Sequence, residues 1–222
     1  PFAGFDMPVQ YTSILAEHEQ TRKKAAVFDI CHMGEFTLSG DGAAEALGKA
    51  VTHDLATLAP GKCRYGFLLN ENGGVIDDLI IYCLGVDDYM LVVNGSRIAV
   101  DFETIKARLP AGSNFRNVSA ETAKIDLQGP LAYEVLRDRV PGDFSGLKYF
   151  NFAWTEFNGA KLMVSRTGYT GELGYELFLP ASQAVALWEA IAADPRVAPA
   201  GLGARDTIRL EMGYPLYGQD LD

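Results

Sequence analysis

The sequence predicts an α+β protein made of two related units, each with helices on one face of a mostly antiparallel sheet. Three observations predict it. The order strand, helix, hairpin, strand, helix occurs twice along the chain. Each hairpin is marked by a loop of residues that accept left-handed backbone angles. A stretch rich in Gly, Ser and Asn, residues 111–119, separates the two copies.

The first copy opens with a strand over residues 35–40, closed by Gly40 and followed by the helical run Ala43-Ala44-Glu45-Ala46-Leu47. Residues 64–69 and 75–84 then flank Asn70-Glu71-Asn72-Gly73-Gly74, which reads as a hairpin. A strand over 89–94 and a helix over 97–109 complete the copy. In the second copy the strand is 124–129, closed by Gly129, and Pro130 stands in the first turn of the helix that follows. Residues 150–157 and 160–165 flank Asn158-Gly159, a strong short hairpin signal. A strand over 174–179 and a helix over 183–192 follow. The expected units are therefore residues 1–118, including an N-terminal arm, and 119–222, ending in a helix.

That last helix begins within Gly201-Leu202-Gly203-Ala204-Arg205-Asp206. Glycines let backbone N–H groups approach a ligand, and a helix start carries partial positive charge. Arg205 adds a planar charged fork suited to a carboxylate or a polar heterocycle. The plainer reading is an ordinary helix start, with Asp206 favoured by the dipole and Arg209 solvated.

Candidate chemistry falls in two places. Asp77 and Asp78 sit together in Gly73-Gly74-Val75-Ile76-Asp77-Asp78-Leu79, although acids are disfavoured in strands. Neighbours on a strand point to opposite faces. The pair is either solvated on a surface hairpin or includes a carboxylate at the edge of an apolar cleft, able to take a proton or stabilise developing positive charge. Tyr65 starts the same hairpin. In the second copy, Ser165-Arg166-Thr167-Gly168-Tyr169-Thr170-Gly171-Glu172-Leu173-Gly174-Tyr175-Glu176 makes a shaped loop in which Tyr169 offers a stacking face and a hydroxyl. Glu176 is either an exposed hairpin residue or a buried carboxylate that needs two donors, as a 2-amino-4-oxo pyrimidine edge would supply. In Asp29-Ile30-Cys31-His32-Met33-Gly34, Met33 suits an adaptable cleft wall, whereas a Cys31–His32 pair is set against by the opposed directions of strand neighbours.

A formal net charge of -10 argues against nucleic acid as a partner. Any anionic ligand needs a local basic site such as Arg64, Arg166 or Arg205. Cys31, Cys63 and Cys83 form no paired motif, and His18, His32 and His53 show no ligand spacing, so reduced thiols and no metal are expected. No apolar run reaches the roughly 20 residues of a membrane span, so no membrane association is expected.

Six motifs, in order, carry a resemblance. They are Phe2-Ala3-Gly4-Phe5-Asp6-Met7-Pro8, Phe28-Asp29-Ile30-Cys31-His32-Met33-Gly34-Glu35, Asn72-Gly73-Gly74-Val75-Ile76-Asp77-Asp78-Leu79, Leu127-Gln128-Gly129-Pro130, Arg166-Thr167-Gly168-Tyr169-Thr170-Gly171-Glu172 and Gly201-Leu202-Gly203-Ala204-Arg205-Asp206. Together they resemble the aminomethyltransferases, the T-proteins of the glycine cleavage system. The resemblance implies the folate-binding T-protein fold and transfer of an aminomethyl group from lipoylated H-protein to tetrahydrofolate as co-substrate. The products would be 5,10-methylenetetrahydrofolate, ammonia and dihydrolipoyl H-protein. It implies Asp78 as the catalytic carboxylate, Glu176 as the pterin grip, and Tyr65, Tyr169 and Arg205 as further folate-site residues. Asn94 and Met33 fall on positions nearby. The family continues into a smaller barrel-like domain, which is absent from this sequence. A bacterial source would imply the cytoplasm, a eukaryotic one the mitochondrial matrix. Folate-dependent demethylases and non-catalytic folate-binding proteins share the fold and are the alternatives; the full Asp-Asp-Leu motif speaks against the second.

Overall fold

The computed structural model describes Phe2–Leu221. Along the chain, α1 (Ile14–Lys23) and β1 (Ala25–Asp29) precede β2 (Gly34–Ser39), α2 (Ala43–Ala50), β3 (Cys63–Leu69), β4 (Val75–Gly85), β5 (Asp88–Val93) and α3 (Ile98–Arg108). Then come β6 (Asn114–Asn117), β7 (Thr122–Gln128), α4 (Ala132–Arg139), β8 (Phe152–Phe157), β9 (Ala160–Ser165), β10 (Gly174–Pro180), α5 (Ala184–Ala192), β11 (Val197–Pro199) and α6 (Leu202–Glu211). The α+β class and the mainly antiparallel pairing are those expected.

The chain forms two compact units. One comprises Pro1–Cys31 and Glu121–Pro215, the other His32–Ala120 and Leu216–Asp222. The expected division after residue 118 put the N-terminal arm with the first half. It belongs instead with the second, because β1 bonds antiparallel to β7 and parallel to β11. The expected linker also contains β6, an edge strand paired with β2; its Asn-Phe-Arg-Asn sequence gives no alternation by which to foresee it.

The repeat is visible in the sheets. The smaller unit has strand order β3-β4-β5-β2-β6, and the larger β11-β1-β7-β10-β9-β8. Each places its hairpin at one edge, then the later strand, then the opening strand. Where β6 flanks β2 in the smaller unit, β1 flanks β7 in the larger, which moves β11 one place outward.

The turns explain the hairpins. Between β3 and β4 the Asn70 Oδ1 accepts the N–H groups of Asn72 and Gly74 at 2.9 and 3.0 Å, closing the loop on itself. Between β8 and β9, Asn158 and Gly159 both have positive φ, 50° and 75°, the requirement of a tight primed turn.

In the smaller unit, one sheet face carries Phe36, Leu38, Leu68, Leu79, Ile81 and Leu91 and packs on Leu47 of α2 and Ile105 of α3. In the larger unit, Ile125, Leu127, Val164 and Leu177 pack against Val135 and Leu136 of α4 and Leu187 and Ile191 of α5. Its opposite face is covered too: Ala26, Phe28 and Ile30 meet Ala204 and Ile208 of α6. This second cover sets the environment of the polar residues of β7.

Candidate functional site

In the smaller unit, Asp77 lies on the helix-facing side of β4, in register with Leu68, and is fully buried. Asp78 lies on the other side, in register with Phe67, and is half-buried. The opposed faces are those expected of strand neighbours, and the solvated-pair reading fails. Tyr65 donates its hydroxyl hydrogen to Asp78 Oδ2 at 2.9 Å, and its ring meets Phe67 edge-on.

Asn94 sits just past the end of β5, where one side chain can reach both acids. Its Nδ2 donates to Asp78 Oδ1 at 2.7 Å and to Asp77 Oδ1 at 2.9 Å, and its backbone N–H donates to Asp77 Oδ2 at 3.0 Å. Both oxygens of Asp78 are thus held by neutral donors, with no cation among these partners. Burial pushes the Asp78 carboxyl above its ordinary range, Asp77 adds to the rise, and the Tyr65 and Asn94 hydrogen bonds oppose it. Met33 lies in the bend ahead of β2; since Gly34 pairs with Val93, Met33 and Asn94 step off the same end of the β2–β5 ladder.

In the larger unit a polar cluster is built into a sheet face. Lys124, Asp126 and Gln128 alternate along β7, and Asp126 pairs with Glu176 of β10, which pairs with Ser165 of β9. Glu176 is 4% exposed. Its Oε1 is 2.8 Å from Lys124 Nζ, and Thr167 Oγ1 donates to its Oε2 at 2.5 Å. The exposed-hairpin reading of Glu176 therefore fails, and the two donors are the protein's own. Glu172 is only partly exposed and pairs with Arg22 at 3.0 Å.

Arg205 projects from the first turn of α6 to Asp126 Oδ2 at 3.1 Å, and its guanidinium lies 5.0 Å from the centre of the Tyr169 ring. Tyr169 also stacks on Tyr214 and donates its hydroxyl hydrogen to the Pro215 carbonyl. The glycine-rich loop is moulded around Gln128: its Nε2 donates to Asp126 Oδ1 at 2.6 Å and to the Thr167 carbonyl at 3.0 Å, and its Oε1 accepts from Thr170 at 2.5 Å. Burial opposes charge on Glu176, but Lys124 and Thr167 hold it below its usual range. Burial and the Glu176 charge push Asp126 up to about 7, against the pull of Arg205.

The start of α6 differs from its expected role. The N–H groups of Leu202 and Gly203 donate to the carbonyls of Pro8 and Val9 at 3.0 and 2.9 Å, and that of Gly201 donates to Glu17 Oε2 at 2.9 Å. The glycines admit the chain's own arm: a Cβ on Gly201 would stand 2.5 Å from the Val9 carbonyl oxygen. Arg209, read as solvated, is 3% exposed and pairs with Asp206 at 2.8 Å. Arg64 and Arg166 spend their guanidinium groups on the carbonyls of Asp54 and Leu147.

Of the residues singled out in the sequence, Tyr65, Asp78 and Asn94 converge in one unit, and Tyr169, Glu176 and Arg205 in the other. Sequence reasoning missed Lys124, Asp126, Gln128 and Thr167. The signal was the period-two polar series in β7, which resembles a solvent face until α6 is known to cover it. Among the described residues no group of three or more His, Cys, Asp or Glu could hold a metal ion, and no helix is long and apolar enough to cross a membrane.

Two α+β units with this repeated strand order, one holding a clamped half-buried aspartate and the other a buried carboxylate cluster, define the class, and the chain belongs to the GCVT N-terminal domain family, whose model matches residues 1–222. The curated relatives it resembles are named aminomethyltransferase. One from Halothermothrix orenii is 46% identical over 224 residues, covering 100% of this chain and 63% of the relative. Another from Geobacillus kaustophilus is 48% identical over 224 residues, covering 99% and 62%. The chain thus spans less than two thirds of these relatives' length. A crystal structure of glycine cleavage system aminomethyltransferase T from Bartonella henselae matches with a TM-score of 0.92 at 38% identity, covering 100% of this chain and 60% of that one. Heterotetrameric sarcosine oxidase from Corynebacterium sp. U-96 matches in fold alone, with a TM-score of 0.58 at 18% identity over 81% of this chain and 91% of that one.

Proposed function

We propose that this chain serves a tetrahydrofolate-dependent aminomethyltransferase of the glycine cleavage system. Aminomethyl-dihydrolipoyl H-protein and tetrahydrofolate would give 5,10-methylenetetrahydrofolate, ammonia and dihydrolipoyl H-protein. The observation that carries the reading is Asp78, a half-buried carboxylate fixed by Tyr65 and Asn94 with no cation among those partners. Tetrahydrofolate supplies the nucleophilic nitrogen when bound, and positive charge develops on nitrogen as ammonia leaves. Asp78 stabilises that charge, and its clamped geometry means that little reorganisation is needed as the charge forms. Its raised proton affinity also suits it to take a proton.

Recognition of the pterin falls to the larger unit. Glu176 carries a carboxylate, a group with about four acceptor sites. Those fit the paired N–H donors of a 2-amino-4-oxo ring edge. Tyr169 and Arg205 offer a ring face and a planar cation for stacking. Orienting the two substrates contributes much of the remaining rate. Asn94 and Met33 complete the proposed folate-site residues.

Tetrahydrofolate titration by calorimetry, run beside an ammonia-release assay with aminomethylated H-protein, tests the reading. Binding with release supports it. Binding without release indicates a folate-binding protein, and absence of both overturns it.

A further inference from the structure

Asp101, in the first turn of α3, is 0% exposed and packs under the sheet face that carries Asp77, also 0% exposed. Among the described residues, no N–H or O–H group reaches either Asp101 oxygen. The polar group it meets is the Asp77 carboxyl. Two ionised carboxylates in contact in an apolar setting repel, and neither offers a donor to the other. One proton shared between them turns the contact into a hydrogen bond. Asp77 already accepts from Asn94 through both oxygens, Nδ2 at 2.9 Å and the backbone N–H at 3.0 Å. The acceptor role is therefore that of Asp77, and the proton resides on Asp101.

We propose that Asp101 is a positioning residue: as a neutral acid it donates to Asp77, steadies that carboxylate against Asn94, and through Asn94 aims Asp78. That Asp78 is the group at work rests on the function proposed above; the relay itself does not. The charged groups acting on Asp101 are Asp77 and Asp78 from β4 and Arg97 from the turn ahead of α3. Burial is the largest influence and the two aspartates add to it, so its carboxyl is pushed up to about 9, with Arg97 opposing. Above that pH the relay would carry two adjacent negative charges, and Asn94 would lose its fixed acceptor.

Infrared difference spectra of protein labelled with carbon-13 in aspartate, wild type minus Asp101→Asn, test the proton directly. A protonated-carboxyl band is expected at neutral pH and is lost as pH rises through about 9. No band at neutral pH overturns the proposal whatever the turnover. The Asn94 side-chain amide resonance should move over the same pH range in wild type and stay fixed in Asp101→Asn; an unmoved wild-type resonance overturns the relay. In the ammonia-release assay, Asp101→Ala should lower kcat about tenfold, as expected for a lost buried hydrogen bond, with KM for tetrahydrofolate within about twofold. Asp101→Asn, whose amide donates the same bond, should recover kcat to within about threefold and lose the alkaline fall in rate. Asn behaving as Ala, or an unchanged alkaline fall, overturns the positioning role. If Ala fails to fold, the Asn variant and the two spectra carry the decision. A protein that shows the band and the Asn94 shift but no aminomethyl transfer sinks the functional reading while the relay stands.

Discussion

Glu176 and Asp126 stand directly opposite each other across the β10–β7 ladder, two acids on one buried face. They differ in how they are compensated. Glu176 has Lys124 and Thr167 on its two oxygens and is held below the usual carboxylate range despite burial. Asp126 has the more distant Arg205 and the neutral Gln128, and burial beside the charged Glu176 raises it to about 7. One ladder position thus holds a fixed negative charge and a group poised near neutrality.

That difference predicts a pH signature. Asp126 binds its proton more tightly folded than unfolded, so its contribution favours folding below pH about 4 and is lost as pH rises through about 7. Asp126→Asn removes the titration. The urea midpoint of wild type relative to Asp126→Asn should fall between pH about 5 and pH about 8, that is, from about one unit above the unfolded value to about one unit above the folded one. A constant difference across that interval would show that Asp126 does not titrate there.

Breaking the Lys124–Glu176 pair from one side should be costly. Lys124→Ala leaves a buried carboxylate without its cation and should destabilise the protein by about 3–5 kcal/mol in denaturant unfolding. Replacing both residues together by leucine should recover most of that loss. The same logic governs Glu176→Ala, which should weaken tetrahydrofolate binding in titration calorimetry. Glu176→Gln separates the two effects, since it keeps the shape while removing the charge.

Asp78→Asn should lower turnover by about 100-fold or more, as for loss of a preorganised electrostatic group, with folate affinity within about threefold. Stopped-flow turnover beside equilibrium titration makes the comparison. Equal losses in both would make Asp78 a binding residue.

Gly201→Ala should destabilise the protein by about 1–3 kcal/mol, because the new methyl meets the Val9 carbonyl at a distance no relaxed structure accepts. Limited proteolysis should then cut first within the N-terminal arm. An unchanged melting temperature and cleavage pattern would mean that the arm shifts freely.

The sequence was most readable where local chemistry decides structure. Asn158-Gly159 and the Asn70–Gly74 loop marked both hairpins, with strand ends within two residues of those of β3, β4, β8 and β9. The helix expected over 97–109 is α3, Ile98–Arg108. Strands β1, β6 and β11 were not legible, because each is defined by a distant partner and not by its own pattern. The same reason hid the buried cluster. Lys124, Asp126 and Gln128 have the alternation of a wet strand face, and groups from further along the chain make that face dry: Glu176 and Phe178 at Lys124, Arg205 at Asp126, Thr167 and Thr170 at Gln128. Asp78 and Glu176 stood out because acids are out of place in strands; Asp101 sits in a helix turn where an acid is ordinary, so nothing drew notice to it.

The pairing of β1 with β7 and β11 sets an order of events for a chain emerging from a ribosome. Every strand of the smaller sheet lies between Gly34 and Asn117, so that sheet can close while the rest is still being made. The first strand of the larger sheet is made before all of these, yet it has no strand neighbour until β7 appears, and its Ala26 and Phe28 face is not covered by α6 until the last helix is made. Ala26, Val27 and Phe28 stay without a strand partner while roughly ninety residues are made before β7, and Ala26 and Phe28 wait roughly eighty more for α6. This interval, and not the finished fold, is where the protein is most exposed to aggregation.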